Sequence, residues 1–169
     1  QVVLVGIDAC TINEDIVIRA REGINKSTGI PEKAVMIGAS HTHSGGPAEG
    51  VREGEFDHAS QLVQKLAYEE SPMLNEEYVD RVVDAIVGGV SEAYKNRAES
   101  TASVGSGYEN EVSHNRRFFM NNGHTWTHPS GFGTLPNPDI EKVAGPIDPE
   151  VGVIGVWDEE GALKGCIVN

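Results

Sequence analysis

Residues 2–8 read VVLVGID and residues 34–43 read AVMIGASHTH, and between them Thr11-Ile12-Asn13-Glu14 opens a stretch with helical spacing. Each outer segment starts as a short apolar run rich in β-branched residues, the pattern of a buried strand. Thr11 followed by Glu14 matches a capping box. The stretch after it carries Ile16, Val17, Ala20 and Ile24 on one face, with Arg19, Arg21 and Glu22 elsewhere. Gly29 and Pro31 then stop the helix. Strand, helix and strand in this order form a βαβ unit. That unit predicts a parallel strand pair joined by a right-handed crossover.

Beyond it, residues 44–75 are loop-like, with a short helix around 59–68. From Glu49 to Glu77 there are eight acids and two bases, so this stretch carries close to half of the net charge of −13. Residues 76–97 have the clearest helical pattern. Val79, Val82, Val83, Ile86, Val90 and Ala93 recur at three- and four-residue spacing, and Asn75 is placed to cap the start. Lys95 and Arg97 sit near the end, where positive charge is favoured. Residues 101–108 (TASVGSGY) read as a strand of small residues.

Residues 109–150 show little periodicity and much Gly, Asn and Pro. A loop of that length is usually functional or disordered, and Phe118, Phe119, Trp126 and Phe132 favour order. Residues 151–157 (VGVIGVW) and 163–168 form a hairpin around Asp158-Glu159-Glu160-Gly161. The fold class is α/β: a mixed sheet with a βαβ start, a long helix and a C-terminal hairpin. The first and last segments both look like strands in progress. Residues 1–169 are therefore expected to be an incomplete portion of a larger domain, cut at both ends.

Composition removes several function classes. Lys+Arg 13 stand against Asp+Glu 26, and the sequence pI is about 4.8. A nucleic-acid binder wants a basic face, and strong attraction to anionic membranes wants basic clusters. No apolar run approaches the roughly 20 residues of a transmembrane helix. Two cysteines are too few for a disulfide scaffold. Val and Ile together number 31 against 6 Leu, a bias toward strands over a helix bundle.

The strongest chemical signal is Ser40-His41-Thr42-His43-Ser44-Gly45-Gly46-Pro47, at the C-terminal end of the second strand. That edge of a parallel sheet is where ligands bind. An H-x-H pair supplies one metal ligand plus a second imidazole aimed at a substrate, or two ligands. The alternative is a pair of surface histidines. Ser44-Gly45 stands where metallo-β-lactamase-type sites carry Asp-His. Asp8 ends the neighbouring strand, so it lies near His41 and either orients a histidine or caps the next helix.

A second signal is Ser113-His114-Asn115-Arg116-Arg117. An Arg at a pocket edge holds a carbonyl oxygen or a developing oxyanion; alternatively the two arginines are solvated. His124 and His128 flank Trp126, with Gly123 and Pro129 opposing a helix, so they read as loop or pocket-rim residues. Cys10 and Cys166 read as free thiols, and His58 carries no assigned role.

The order of these pieces resembles the N-terminal domain of the neutral/alkaline, non-lysosomal ceramidases and their bacterial relatives. His41-Thr42-His43-Ser44-Gly45 carries the resemblance most specifically. Asn115-Arg116 and Ile147-Asp148-Pro149-Glu150-Val151 support it. The resemblance implies hydrolysis of the amide bond of an N-acyl sphingoid lipid by a zinc-activated water. It makes His41 a zinc ligand, His43 a catalytic neighbour that helps bind the substrate carbonyl or the water, and Arg116 a substrate-contacting residue. It implies further ligands after Asn169, so that these residues alone hold one zinc ligand, or two at most, bind zinc weakly or not at all, and lack activity. It also implies an extracytoplasmic or secreted location and a lipid or small-molecule substrate, with no nucleic-acid partner. The sequence differs from the family pattern at Gly46, which separates Ser44-Gly45 from Pro47, at Arg117-Phe118-Phe119, and in the long acidic loop 49–77. These differences bear on the substrate more than on the metal.

Two other readings stand beside this one. A zinc hydrolase of another superfamily, such as a barrel amidohydrolase, also uses H-x-H, but the hairpin at 151–168 opposes a barrel. A zinc hydrolase of another amide or ester, or a non-catalytic binding module, would keep the same fold.

Overall fold

The computed structural model describes residues 1–129 and 137–169, and it divides into two compact units, Gln1–Arg97 and Ala98–Asn169. Phe132 lies outside the described residues.

The first unit opens with β1 (Val3–Ile7), α1 (Glu14–Thr28) and β2 (Val35–Ala39). The strands pair in parallel, with Val3 opposite Val35 and Ile7 opposite Ala39. The βαβ unit is therefore present as the apolar spacing predicts. Its strands are half-buried among the described residues rather than fully buried. Val3, Val5, Ile7 and Ile37 pack toward the core, while Leu4 and Met36 are exposed.

The capping box is not formed. Asn13 caps α1 with extended backbone and no side-chain hydrogen bond. The Thr11 hydroxyl instead donates to the Glu49 carboxylate. A long-range partner has displaced the local one, since hydroxyl caps compete with whatever acceptor the tertiary fold offers. At the other end Gly29 closes the helix at φ 76°.

After β2 come α2 (Gln61–Tyr68) and α3 (Glu76–Lys95). Ser60 and Asn75 cap them through their side chains. The α3 stripe buries Val79, Val83, Ile86 and Val90; Val82 is partly buried, and Ala93 is exposed. Against it α1 buries Ile16, Ala20 and Ile24. Ile24, Ile30, Val35, Ile86 and Val90 belong to one apolar cluster, and Ile16, Ala48, Val79 and Val83 to another. Truncating a fully buried Ile to Ala in such a core costs about 2–5 kcal/mol. Ala48 lies just beyond the histidine loop, so burying it ties that loop to the helix pair.

The acidic loop is pinned rather than free. The Val51 and Leu74 amides exchange hydrogen bonds with the Pro72 and Val51 carbonyls, each at 2.9 Å, closing its ends. The Arg52 guanidinium reaches Glu76 Oε1 at 2.8 Å and also pairs with Asp15. It thereby joins the loop to the first turns of both α1 and α3, and these carboxylates raise its pKa above the ordinary value.

The second unit holds β3 (Thr101–Tyr108), β4 (Arg117–Met120), β5 (Thr125–Thr127), β6 (Ile140–Val143), β7 (Glu150–Trp157) and β8 (Leu163–Val168). β3, β7 and β8 form one antiparallel sheet, and β5, β4 and β6 another. The C-terminal hairpin is as expected. Residues 109–150, read as aperiodic, contain a small sheet. The missed signal is Asn121-Asn122-Gly123, a hairpin turn in which Gly123 takes φ 80°. Its strands are too short for alternation to register in sequence. Parallel and antiparallel pairing thus occupy separate sheets of one mixed α/β chain. Among the described residues, no helix is long and apolar enough to cross a membrane.

Candidate metal centre

β2 runs one hydrogen bond past its last assigned residue, with the Ser40 amide donating to the Ile7 carbonyl at 3.0 Å. The chain then turns sharply. His41 adopts φ 61°, a left-handed conformation uncommon for a residue with a Cβ. Such backbone strain persists where the surroundings impose it, and it clusters at functional sites. Ser40 Oγ donates to Asp8 Oδ1 at 3.0 Å, so Asp8 binds the residue before His41. Neither of the two roles read for Asp8 from sequence is observed. It joins the two strand ends instead.

The turn brings His41 and His43 together. Their rings meet edge to face, with centroids 5.1 Å apart. His41 Nδ1 lies 2.8 Å from the backbone carbonyl of Cys10 and 3.8 Å from Cys10 Sγ. One donor atom from each of Cys10, His41 and His43 lies within 4.8 Å of the others. Both histidines are exposed and Cys10 is half-buried.

Glu49 completes the surroundings. Hydrogen bonds from Thr11 and then Cys10, together with nearby His41 and His43, hold its carboxyl below the ordinary range. Partial burial, followed by Glu49, pushes the Cys10 thiol up.

The glycines of this loop serve close approach. A Cβ at Gly46 would meet the Tyr78 ring at 2.2 Å, and the Gly46 amide donates to the Tyr78 hydroxyl at 3.2 Å. The extra glycine that departs from the family pattern is therefore the residue seated on α3.

The donor chemistry fits zinc. Imidazole nitrogen and thiolate sulfur are its preferred ligands, and donors on one tetrahedral ion stand about 3.5 Å apart. Cys10 was read from sequence only as a free thiol. It sits two residues beyond Asp8, and only the pairing of β1 with β2 brings it beside His41. Both cysteines are free thiols, in different units.

Arg116 belongs to the second unit and is exposed. Its neighbour Asn115 shapes the loop, donating to the Gly145 and Pro146 carbonyls at 3.2 and 3.1 Å and accepting from the Arg117 amide. His124 and His128 stand on either side of β5, so they do not form a helical i,i+4 pair. His58 is exposed and outside the donor cluster.

Histidines delivered from the end of a parallel strand, beside a cysteine from the neighbouring strand end, define an α/β protein with a candidate metal centre. The chain is similar to the neutral ceramidase of Pseudomonas aeruginosa, with 28% identity over 137 residues, 80% of this chain and 17% of that protein. A crystal structure of the neutral ceramidase from Pseudomonas aeruginosa matches 96% of this chain with a TM-score of 0.57 at 23% identity, covering 22% of that chain. No family model matches the chain. The resemblance read from the sequence is borne out by the first comparison, and the fold by the second. The chain spans about a fifth of the length of the proteins it matches.

Proposed function

We propose that this chain is part of the catalytic domain of a zinc-dependent amidohydrolase acting on a ceramide-like N-acyl sphingoid lipid. The single observation that carries this reading is the convergence of His41 and His43 at the end of β2, in a chain similar to a neutral ceramidase. His41 is the zinc ligand. Bound zinc supplies Lewis acidity and a water with pKa near 7. His43 is adjacent, its ring edge to face with that of His41, and presents an imidazole N–H to the carbonyl oxygen on which charge develops. Arg116 contacts the substrate. The remaining zinc ligands lie outside these residues, which do not hydrolyse lipid alone. An extracytoplasmic or secreted location is part of the same proposal.

The pinned acidic loop after Glu49 favours a second reading, in which the same centre hydrolyses another amide or an ester. The test is a release assay on the full-length protein that carries this chain. It compares N-acyl sphingosine with N-acyl amino acids and simple esters. Fatty-acid release from the sphingoid amide alone supports the first reading. Release only from the other substrates supports the second, and release from none overturns both.

A further inference from the structure

We propose that the free edge of β1 takes a further β-strand, supplied by the same polypeptide from outside residues 1–169, which pairs with the backbone of Leu4 and Gly6 and packs on α3 at Gly89. This rests on the reading of these residues as part of a larger catalytic domain and goes beyond it by naming the seam at which the rest of that domain joins.

Backbone geometry defines the edge. β1 and β2 are the strands of the first unit, and among the described residues β1 pairs with β2 alone. The Ile7 carbonyl accepts from the Ser40 amide, so the polar groups of Ile7 face β2. Alternation turns Val3 and Val5 the same way and directs the N–H and C=O groups of Leu4 and Gly6 to the opposite edge. Beside that edge lies a groove of about 830 Å3, whose wall on α3 includes Val82, Ala85, Gly89 and Ala93. Gly89 stands inside the helix, where glycine is unfavourable, and a Cβ there would meet nothing within 4 Å. The space is open for a close neighbour.

The occupant must satisfy both apolar surface and backbone. Parallel strands are covered on both faces, yet Val2, Leu4 and Met36 are exposed, so the β1–β2 pair is short of apolar cover. An acyl chain would fill the groove but leave the Leu4 and Gly6 polar groups buried without partners, at the cost of lost hydrogen bonds. An added strand supplies those partners and the apolar side chains together. The chain spans about a fifth of the length of the proteins it matches. A polypeptide of that length carries most of its strands elsewhere, and tethering gives them an effective concentration that a second copy or a free partner lacks.

The experiment is hydrogen–deuterium exchange of the full-length protein, read at single amides by mass spectrometry with electron-transfer fragmentation. Val5 and Ile7, which face β2, set the reference. Leu4 and Gly6 should exchange as slowly as these two, at every protein concentration and without lipid. Gly89→Leu fills the groove and should speed exchange at Leu4 and Gly6 by about 10-fold or more, the usual overpacking cost read as local opening. Circular dichroism checks that this variant folds, and the wild-type pattern stands without it. Fast exchange at Leu4 and Gly6 beside slow Val5 and Ile7 would show a bare edge and overturn the proposal. Protection lost on dilution would assign the edge to a second copy, and protection seen only with added N-acyl sphingosine would assign the groove to substrate; either result overturns it. So does unchanged exchange in a folded Gly89→Leu variant. None of these readouts involves zinc or hydrolysis, so the zinc-hydrolase reading is judged separately by the release assay.

Discussion

The backbone carbonyl of Cys10 accepts a hydrogen bond from Nδ1 of His41 at 2.8 Å. A carbonyl only accepts, so Nδ1 carries the proton and Nε2 keeps the lone pair that a metal needs. Metal-bound histidines characteristically make this second hydrogen bond, which fixes both tautomer and ring orientation. In the metal-free protein, nitrogen-15 spectra above the imidazole pKa should therefore show His41 as the Nδ1–H tautomer. A dominant Nε2–H form would contradict this arrangement.

The seat of the histidine loop on α3 depends on Gly46. Adding a Cβ there places it 2.2 Å from the Tyr78 ring, so the ring or the loop must move. Gly46→Ala should destabilise the protein by about 1–3 kcal/mol, the usual cost of overpacking. Combined with Tyr78→Ala, its effect should be clearly less than additive, because the second change removes the obstacle. Chemical denaturation of the two single variants and the double variant tests this, and strict additivity would refute the contact.

Helix capping differs between the two long helices. Asn75 Oδ1 accepts from the Tyr78 amide at 2.8 Å, whereas Asn13 makes no side-chain cap bond. Asn75→Ala should cost about 1 kcal/mol. Asn13→Ala should cost clearly less. Thermal melts of both variants make the comparison, and equal losses would show that Asn13 caps in solution.

The C-terminal hairpin carries an acid-sensitive turn. Asp158 Oδ1 accepts from the Ala162 and Glu160 amides at 2.8 and 3.1 Å, and its other oxygen meets Lys164 Nζ at 3.1 Å. The Ala162 amide, then Lys164, hold its carboxyl below the ordinary value of 3.8. A folded pKa below the unfolded one gives stability that is present above the unfolded value. That stability is lost as pH falls through the folded value. The Ala162 amide resonance should titrate with a midpoint below 3.8. A midpoint at or above that value would show that the turn does not hold the carboxylate.

The βαβ start, the long helix and the hairpin were legible because each has a strong period bounded by turn residues. Gly29 and Asn75 marked helix ends correctly for local steric and hydrogen-bonding reasons. Thr11 did not, because Glu49, distant in sequence, supplies its acceptor. The β4–β5–β6 sheet was missed because strands such as Thr125–Thr127 are shorter than the stretch over which alternation can be recognised. At the site, the H-x-H pair was visible as a motif. Cys10 was not, since its proximity to His41 arises from strand pairing and not from spacing. The strain at His41 leaves no mark in composition.

The account's central claim is that His41 holds a zinc ion that the hydrolysis requires. The most direct measurement is fatty-acid release from N-acyl sphingosine by the full-length protein carrying this chain, together with its zinc content, before chelation, after it and after zinc is restored. The account predicts loss with chelation and recovery with zinc. It also predicts that His41→Ala lacks both metal and activity throughout. Full zinc content in His41→Ala, or undiminished release after complete removal of zinc, would contradict it.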